Sequence, residues 1–147
     1  MLARILSVLK GFLKRKTGTG STVPKPPASP VRNDMSLSKI QRDFTYDIGC
    51  LIEYAYANGY ELTFGDAYRS PRAFGGQGER GPYGQTYSAH KNRLAVDFNL
   101  FIEGDYREDT EAYGQLGDYW ESLHPDNVWG GRFDDGNHFS RRWGGIA

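Results

Sequence analysis

The spacing of His90 and Asp97, which stand seven positions apart in a chain of 147 residues, limits how this protein can fold. On one continuous helix the two side chains would share a face but lie roughly 10 Å apart along the axis. On one straight strand the odd offset would place them on opposite faces. A single metal ion needs every ligand atom at about 2 Å. If both residues bind one ion, the chain must therefore bend between them, from a loop that carries His90 into a strand that carries Asp97.

Residues Leu94 to Phe101 have the alternation expected of that strand. The apolar side chains of Val96, Phe98 and Leu100 are expected on one face of the strand. The polar side chains of Asp97 and Asn99 are expected on the other face. A carboxylate inside so apolar a strand is costly unless it is paired or binds a metal. On this segment alone, a paired structural aspartate is an alternative to a metal ligand.

A second segment, from Trp129 to Phe139, carries the other candidate ligand, His138. Asp135, three positions earlier, can place a carboxylate beside a metal ligand without coordinating the metal, as a base acting on bound water requires. Asp134 is the rival base, because residues four positions apart also share a face in a helical turn. Aromatic residues flank His138 in the sequence, so a buried core histidine is an alternative to a metal ligand. Two histidines and one carboxylate, however, leave a fourth zinc position free for water, which is typical of catalytic sites.

The remaining patterns predict an α+β fold in one small domain, with a central antiparallel sheet flanked by helices and the zinc site at the sheet. The predicted elements are helices over residues 38–58 and 110–123, a strand over 60–68, and short strands or strand-like turns over 128–133 and 137–143. Ser38 and Gln41 fit a capping box at the start of the first helix. A long loop from Ser70 to Tyr87, with five glycines and two prolines, is expected to have a functional purpose.

Charge is distributed unevenly along the chain. Residues 1–33 carry seven basic side chains and no acidic one, whereas residues 34–147 carry 11 basic and 18 acidic ones, a net charge of −7. So acidic a body is a poor binder of nucleic acid, whose phosphates are contacted mainly by Lys and Arg. We therefore expect no nucleic-acid partner, and a boundary between a flexible segment, 1–33, and a folded domain, 34–147.

The amino-terminal segment has two parts. Apolar residues from Leu2 to Leu13 recur at helical spacing opposite Lys10 and Lys14, so residues 1–16 are predicted to form a basic amphipathic helix that could contact an anionic membrane peripherally. Residues Thr17 to Pro30 have the composition of a linker. Basic residues crowd the apolar run, unlike a signal peptide, and the run is too short to span a membrane. The alternative is a disordered extension with little role.

Two further residues are interpreted as structural. Cys50 is the single cysteine, which excludes an internal disulfide, and its apolar helical surroundings predict a buried, inert thiol. His124 stands between Leu123 and Pro125 at the end of a predicted helix. It is predicted to be a C-terminal cap or a surface histidine rather than a metal ligand.

Three segments together resemble a known family in order and spacing. They are Tyr68-Arg69-Ser70, Ser88-x-His90-x6-Asp97, and Trp129-Gly130-Gly131 followed by Asp135-x-x-His138-Phe139. This set is similar to the zinc D,D-peptidases and L-alanyl-D-glutamate endopeptidases, which include vancomycin-resistance D-Ala-D-Ala dipeptidases and many phage endolysins. The resemblance covers about residues 35–147, and the Trp-Gly-Gly segment points towards the small phage-type members.

The resemblance implies a zinc-dependent peptidase that hydrolyses a peptide bond in bacterial peptidoglycan, either L-Ala-D-Glu or D-Ala-D-Ala. It implies that zinc is bound by His90, Asp97 and His138. It also implies that Asp135 is the general base, that Arg69 stabilises the tetrahedral oxyanion, and that Ser88 contacts the substrate or supports a ligand. Family members often have Glu at the position of Asp135, and Asp is found in the endolysin branch.

The expected partner is a peptidoglycan stem peptide, and the chain is expected to be a monomer. A phage or prophage endolysin would be made in the host cytoplasm and would act at the cell wall or periplasm, reached through a membrane pore made by another protein. Two other functions stay open. One is a non-catalytic, zinc-stabilised binding module of the same fold, and the other is a metal-dependent nuclease or phosphoesterase, which the acidic body disfavours.

Overall fold

The computed structural model describes residues 36–81 and 84–147, so the predicted amphipathic helix and linker of residues 1–33 lie outside the described residues. In the described part, a five-stranded antiparallel sheet packs against helices, which confirms the α+β prediction. The helices are α1 (Leu37–Ala57), α2 (Pro71–Phe74) and α3 (Gly114–Leu123). The strands are β1 (Tyr60–Phe64), β2 (Ala95–Ile102), β3 (Asp105–Arg107), β4 (Asn127–Trp129) and β5 (His138–Arg141). Short 3-10 helices cover Ala89–Asn92, Thr110–Tyr113 and Gly130–Phe133.

Strand β2 is the centre of the sheet. It pairs antiparallel with β1, β3 and β5, and β4 continues the sheet beyond β5. The pairing with β1 ends at Phe98, and the pairing with β5 begins at Asp97. The candidate ligand Asp97 therefore lies where one neighbouring strand leaves β2 and another joins it.

The alternation predicted for β2 is confirmed by burial. Its apolar residues are at most 3% exposed, and they are Val96, Phe98 and Leu100. Between them, Asp97 and Asn99 are only half-buried on the opposite face. Because side chains alternate along a strand, the apolar face meets the helices and the polar face is left for the site.

Trp120 of α3 joins the two main helices to the sheet. Its ring lies edge-on against Phe44 of α1 and Phe139 of β5. Its indole N–H donates to the carbonyl oxygens of Val128, at 3.2 Å, and Ser140, at 3.1 Å. The largest buried side chain therefore has a satisfied polar atom, as a buried indole needs.

Helix α1 is capped two residues earlier than predicted. Ser36 is the N-cap, and its hydroxyl accepts a hydrogen bond from the backbone N–H of Lys39 at 3.3 Å. The prediction of a Ser38 and Gln41 box was wrong, because the Gln41 amide donates instead to the Asn92 carbonyl at 2.7 Å. Among the described helices, α1 included, none is both long and apolar enough to cross a membrane.

Strand β1 is shorter than predicted, because it ends at Phe64 rather than Tyr68. Beyond it, the Gly65 N–H donates to the Asp97 carbonyl at 2.8 Å, and the Asp97 N–H donates to the Asp66 carbonyl at 2.8 Å. Gly65 and Asp66 thus both lie opposite the single residue Asp97, which is the pattern of a β-bulge. Patterns in the sequence also missed β3 and the 3-10 helix of residues 89–92, and the predicted helix of residues 110–123 starts with a 3-10 turn.

The two residues interpreted as structural are only partly as expected. Cys50 is half-buried rather than fully buried, and burial raises the pKa of its thiol, which favours the unreactive protonated form. His124 is the C-cap of α3, and its Nδ1 accepts a hydrogen bond from the Asp126 N–H at 3.1 Å. It lies outside the histidine and aspartate cluster described below.

Trp129 is packed between two glycines, and this gives a prediction about stability. A Cβ on Gly117 of α3 would lie 2.1 Å from Cδ2 of the Trp129 ring, and one on Gly131 would lie 2.2 Å from Cζ2. Gly117→Ala is therefore expected to lower the free energy of unfolding by about 2 kcal/mol or more. Gly114→Ala, at the start of the same helix with nothing within 4 Å, is expected to raise it by about 0.5–1 kcal/mol.

Urea unfolding of the two variants and the wild type measures both changes. Equal midpoints for Gly117→Ala and wild type would contradict the close packing of Trp129 on α3.

Candidate metal centre and active site

Three separate elements bring His90, Asp97 and His138 together. Asp97 and His138 are register partners on β2 and β5, so the pairing of these strands places both side chains on the same face. His90 comes from the 3-10 helix of residues 89–92. Arg93, in the left-handed region with φ of 56°, ends that helix and turns the chain into β2. The chain thus bends between His90 and Asp97, as their spacing requires for one shared ion.

The three facing atoms form a small triangle. His138 Nδ1 lies 2.9 Å from Asp97 Oδ1, and His90 Nε2 lies 3.3 Å from both Asp97 Oδ1 and His138 Nδ1. Tetrahedral zinc, with ligands at about 2.0–2.1 Å, separates its ligand atoms by about 3.3 Å. The donor set and the spacing therefore both fit one zinc ion.

The bulge after β1 orients two of these residues. His90 is 2% exposed, and its Nδ1 lies 3.3 Å from the Ala67 carbonyl. A carbonyl can only accept, so Nδ1 carries the hydrogen and Nε2 presents its lone pair to the other two residues. The backbone of Asp97 is held by Gly65 and Asp66. One short segment, residues 65–67, thus fixes both a histidine tautomer and a carboxylate position.

The carboxyl group of Asp97 is kept ionised. Burial alone would raise the pKa of Asp97, but its interactions with the His138 and His90 rings outweigh burial and hold that pKa well below its usual range. An anionic oxygen is the form in which a carboxylate binds a metal cation.

The two candidate bases differ in their surroundings. Asp135 is exposed, lies outside the three-residue cluster, and opens the turn in which the His138 N–H donates to the Asp135 carbonyl at 3.1 Å. Its carboxylate accepts no hydrogen bond from the described residues. Asp134, with φ of 59°, accepts a hydrogen bond from the Thr110 hydroxyl at 3.0 Å. A Cβ on Gly130 would lie 2.4 Å from the Asp135 carbonyl oxygen, so the glycine permits this turn.

Arg69 approaches the cluster through its backbone. Its N–H donates to the His90 carbonyl at 3.3 Å, while Nε and Nη2 both donate to Asp66 Oδ2 at 3.2 Å. Nη1 donates to no group in residues 36–81 and 84–147. Ser88 is 7% exposed, and its hydroxyl makes no hydrogen bond in the same part of the chain. Neither Arg69 nor Ser88 contacts the three facing atoms through a side-chain hydrogen bond there.

Comparisons with known proteins bear on the fold. No protein-family model and no curated protein matches the sequence. Among solved structures, the crystal structure of the Serratia marcescens L-Ala D-Glu endopeptidase ChiX matches with a TM-score of 0.50 and 19% identity, covering 76% of this chain and 90% of that chain. The fold is similar to that of this L-Ala D-Glu endopeptidase. At this identity the similarity establishes the fold alone.

Several residues that shape the site were not predicted from the sequence. Asp66 holds both the Arg69 guanidinium and the backbone of Asp97. Lys91 is 8% exposed although it is a lysine, and it lies next to His90. A glycine and an aspartate directly after a strand signal a possible bulge. A lysine in a loop carries no signal of burial, because lysine is mostly exposed in proteins.

Proposed function

We propose that this chain is a zinc-dependent peptidase that hydrolyses a peptide bond in the stem peptides of bacterial peptidoglycan. The observation that carries the proposal is the triangle of His90, Asp97 and His138, with facing atoms 2.9–3.3 Å apart. It lies in a fold similar to that of an L-Ala D-Glu endopeptidase. That similarity favours the L-Ala-D-Glu bond over the D-Ala-D-Ala bond.

Each residue has a role in this mechanism. Zinc held by His90, Asp97 and His138 would supply a Lewis acid for the carbonyl and a water of lowered pKa. Asp135 accepts a proton from the attacking water and passes it to the leaving amine.

The remaining two residues act on the substrate. Arg69 donates through Nη1 to the developing negative charge, with its guanidinium oriented by Asp66. Ser88, adjacent to the 3-10 helix of His90, contacts the substrate.

The products of purified peptidoglycan, analysed by mass spectrometry, test the proposal. Cleavage of L-Ala-D-Glu exposes a new D-Glu amino terminus, whereas cleavage of D-Ala-D-Ala releases free D-Ala. Release is expected to stop with a chelator and to return with added zinc. A protein that binds zinc and releases neither product would be a binding module, and the proposed function would be wrong.

Replacement of Arg69 gives a sharper test of its role. Arg69→Met is expected to lower kcat about 100-fold, because one donor to the developing charge is lost. Arg72→Met is the matched control, since Arg72 is an exposed arginine on the neighbouring helix α2 and should keep wild-type kcat. An Arg69→Met enzyme with unchanged kcat would remove this assignment.

The cellular setting is part of the proposal. A phage or prophage endolysin would be made in the host cytoplasm and act as a monomer at the wall, with residues 1–16 touching anionic membrane. Equal activity of a chain lacking residues 1–33, on intact cells and on isolated wall, would contradict a role for that segment.

A further inference from the structure

Lys91 is buried and fully bonded although the proposed mechanism does not use it. Lys91 directly follows the candidate ligand His90 in the sequence. Nζ donates to the carbonyl oxygens of Gly76 at 2.9 Å, Glu79 at 2.8 Å and Thr86 at 3.2 Å. An ammonium group has three hydrogens, so all of its donors are used. A buried charge is stable only when it is bonded in this way.

The three acceptors belong to one segment, residues 75–81 and 84–87, which we call the anchored loop. Gln77 makes a second attachment, because its Nε2 donates to the Ser88 carbonyl at 2.7 Å and its Oε1 accepts from the Ser88 N–H at 3.3 Å. Within the loop, the Gly78 N–H donates to the Thr86 carbonyl at 3.1 Å. Side chains therefore attach the anchored loop to the segment that carries Ser88 and His90.

The same loop reaches the proposed oxyanion residue. Gly84 has φ of 89°, and a Cβ placed on it would lie 3.9 Å from Arg69 Nη1 and 3.5 Å from Phe74 Cδ1. The loop backbone at Gly84 thus borders the side of the guanidinium that we assign to the substrate.

Composition explains why the loop needs such anchors. Five of its residues, Gly75, Gly76, Gly78, Gly81 and Gly84, are glycines, and three of them, Gly75, Gly78 and Gly84, have positive φ. Glycine loses more conformational freedom on ordering than any other residue. A loop of this composition is therefore ordered by contacts from outside it, and Lys91 supplies the charged ones.

We propose that Lys91 is a positioning residue that holds the anchored loop as the wall of the substrate cleft beside Arg69. The inference rests on the proposed function, and the wall would contact the stem peptide. Without the ammonium group, the Glu79 carbonyl loses its hydrogen bond and the loop separates from the 3-10 helix of residues 89–92. Substrate binding would weaken more than the chemical step, because Lys91 touches neither the metal ligands' facing atoms nor the reacting bond.

The test compares Lys91→Met with Lys91→Arg and with the control Lys39→Met, which removes a lysine paired with Asp43 on α1. Lys91→Met is expected to raise KM for peptidoglycan fragments about tenfold, because the wall is no longer held in place, with kcat within about twofold of wild type. Amide hydrogen exchange in residues 75–87 should quicken in the same variant. Lys91→Arg should recover part of both effects, and Lys39→Met should show neither.

Two results would overturn the inference. One is unchanged exchange in the loop of Lys91→Met, and the other is loss of bound zinc in that variant, which would mean that Lys91 acts on His90 instead. If wild-type protein cleaves no stem peptide, the proposed function fails separately. Hydrogen exchange then still decides whether Lys91 holds the loop, and binding of a stem peptide to wild type and Lys91→Met, measured by calorimetry, decides whether the loop forms a substrate wall.

Discussion

Asp135→Asn is expected to lower kcat on peptidoglycan about 1,000-fold while the purified protein still binds zinc. An asparagine has nearly the shape of aspartate but cannot accept a proton from the attacking water. The carboxylate of Asp135 lies outside the cluster of facing atoms, so its loss leaves all three proposed metal ligands in place. Steady-state kinetics and metal analysis of the same preparation measure both quantities.

The rival carboxylate is the matched control for this experiment. Asp134 accepts a hydrogen bond from the Thr110 hydroxyl at 3.0 Å, so Asp134→Asn should cost some stability and leave kcat near that of wild type. An inactive Asp134→Asn beside an active Asp135→Asn would reverse the assignment of the base. Full activity of both variants would exclude a base at this turn.

His138→Ala is expected to weaken zinc binding by more than about 100-fold. Loss of a residue that only hydrogen-bonds to a metal ligand weakens binding by up to about 100-fold, and loss of a ligand itself should cost more. One of the three proposed ligand atoms disappears, and Asp97 keeps only His90 of its two histidine partners. Activity at ordinary zinc concentrations should fall with the bound metal. Calorimetric titration with zinc measures the affinity directly.

Thermal unfolding supplies a second readout for the same variant. At a free zinc concentration about 1,000 times the dissociation constant, binding stabilises the wild type by about 4 kcal/mol, and a chelator should remove that gain. His138→Ala should respond much less to the chelator, because an affinity about 100-fold weaker leaves a gain of only about 1.4 kcal/mol at the same zinc concentration. His124→Ala, which removes a histidine outside the cluster, should bind zinc as the wild type does. Wild-type affinity in His138→Ala would show that the metal site lies elsewhere.

The parts of the fold that follow a simple period could be predicted from the sequence. Alternation along β2 gives the buried face and leaves Asp97 on the other, because successive side chains of a strand point to opposite sides. The helical stripe of α1, with Phe44, Ile48 and Leu51 buried, follows the helical period in the same way. These features depend on residues close together in the chain.

The parts of the site that depend on distant partners could not be predicted. Gln41 was expected to cap its own helix, yet its amide bonds to the Asn92 carbonyl, 51 positions away. The bulge at Gly65 and the burial of Lys91 likewise depend on which segments come to lie together. No local pattern encodes such a choice, because the same side chain could be satisfied by water at the surface.

Trp129 is a natural fluorophore placed against the turn that leads to His138. Its indole N–H donates to the Gly136 carbonyl at 2.7 Å, and its ring is held by Gly117 and Gly131. A ring fixed in this way responds to small movements of the Asp135 to His138 turn through its emission. We therefore expect movements of this turn, including any that follow zinc binding at the proposed site, to change the intrinsic fluorescence of the unlabelled chain. Replacement of Trp129 would identify its contribution to that signal.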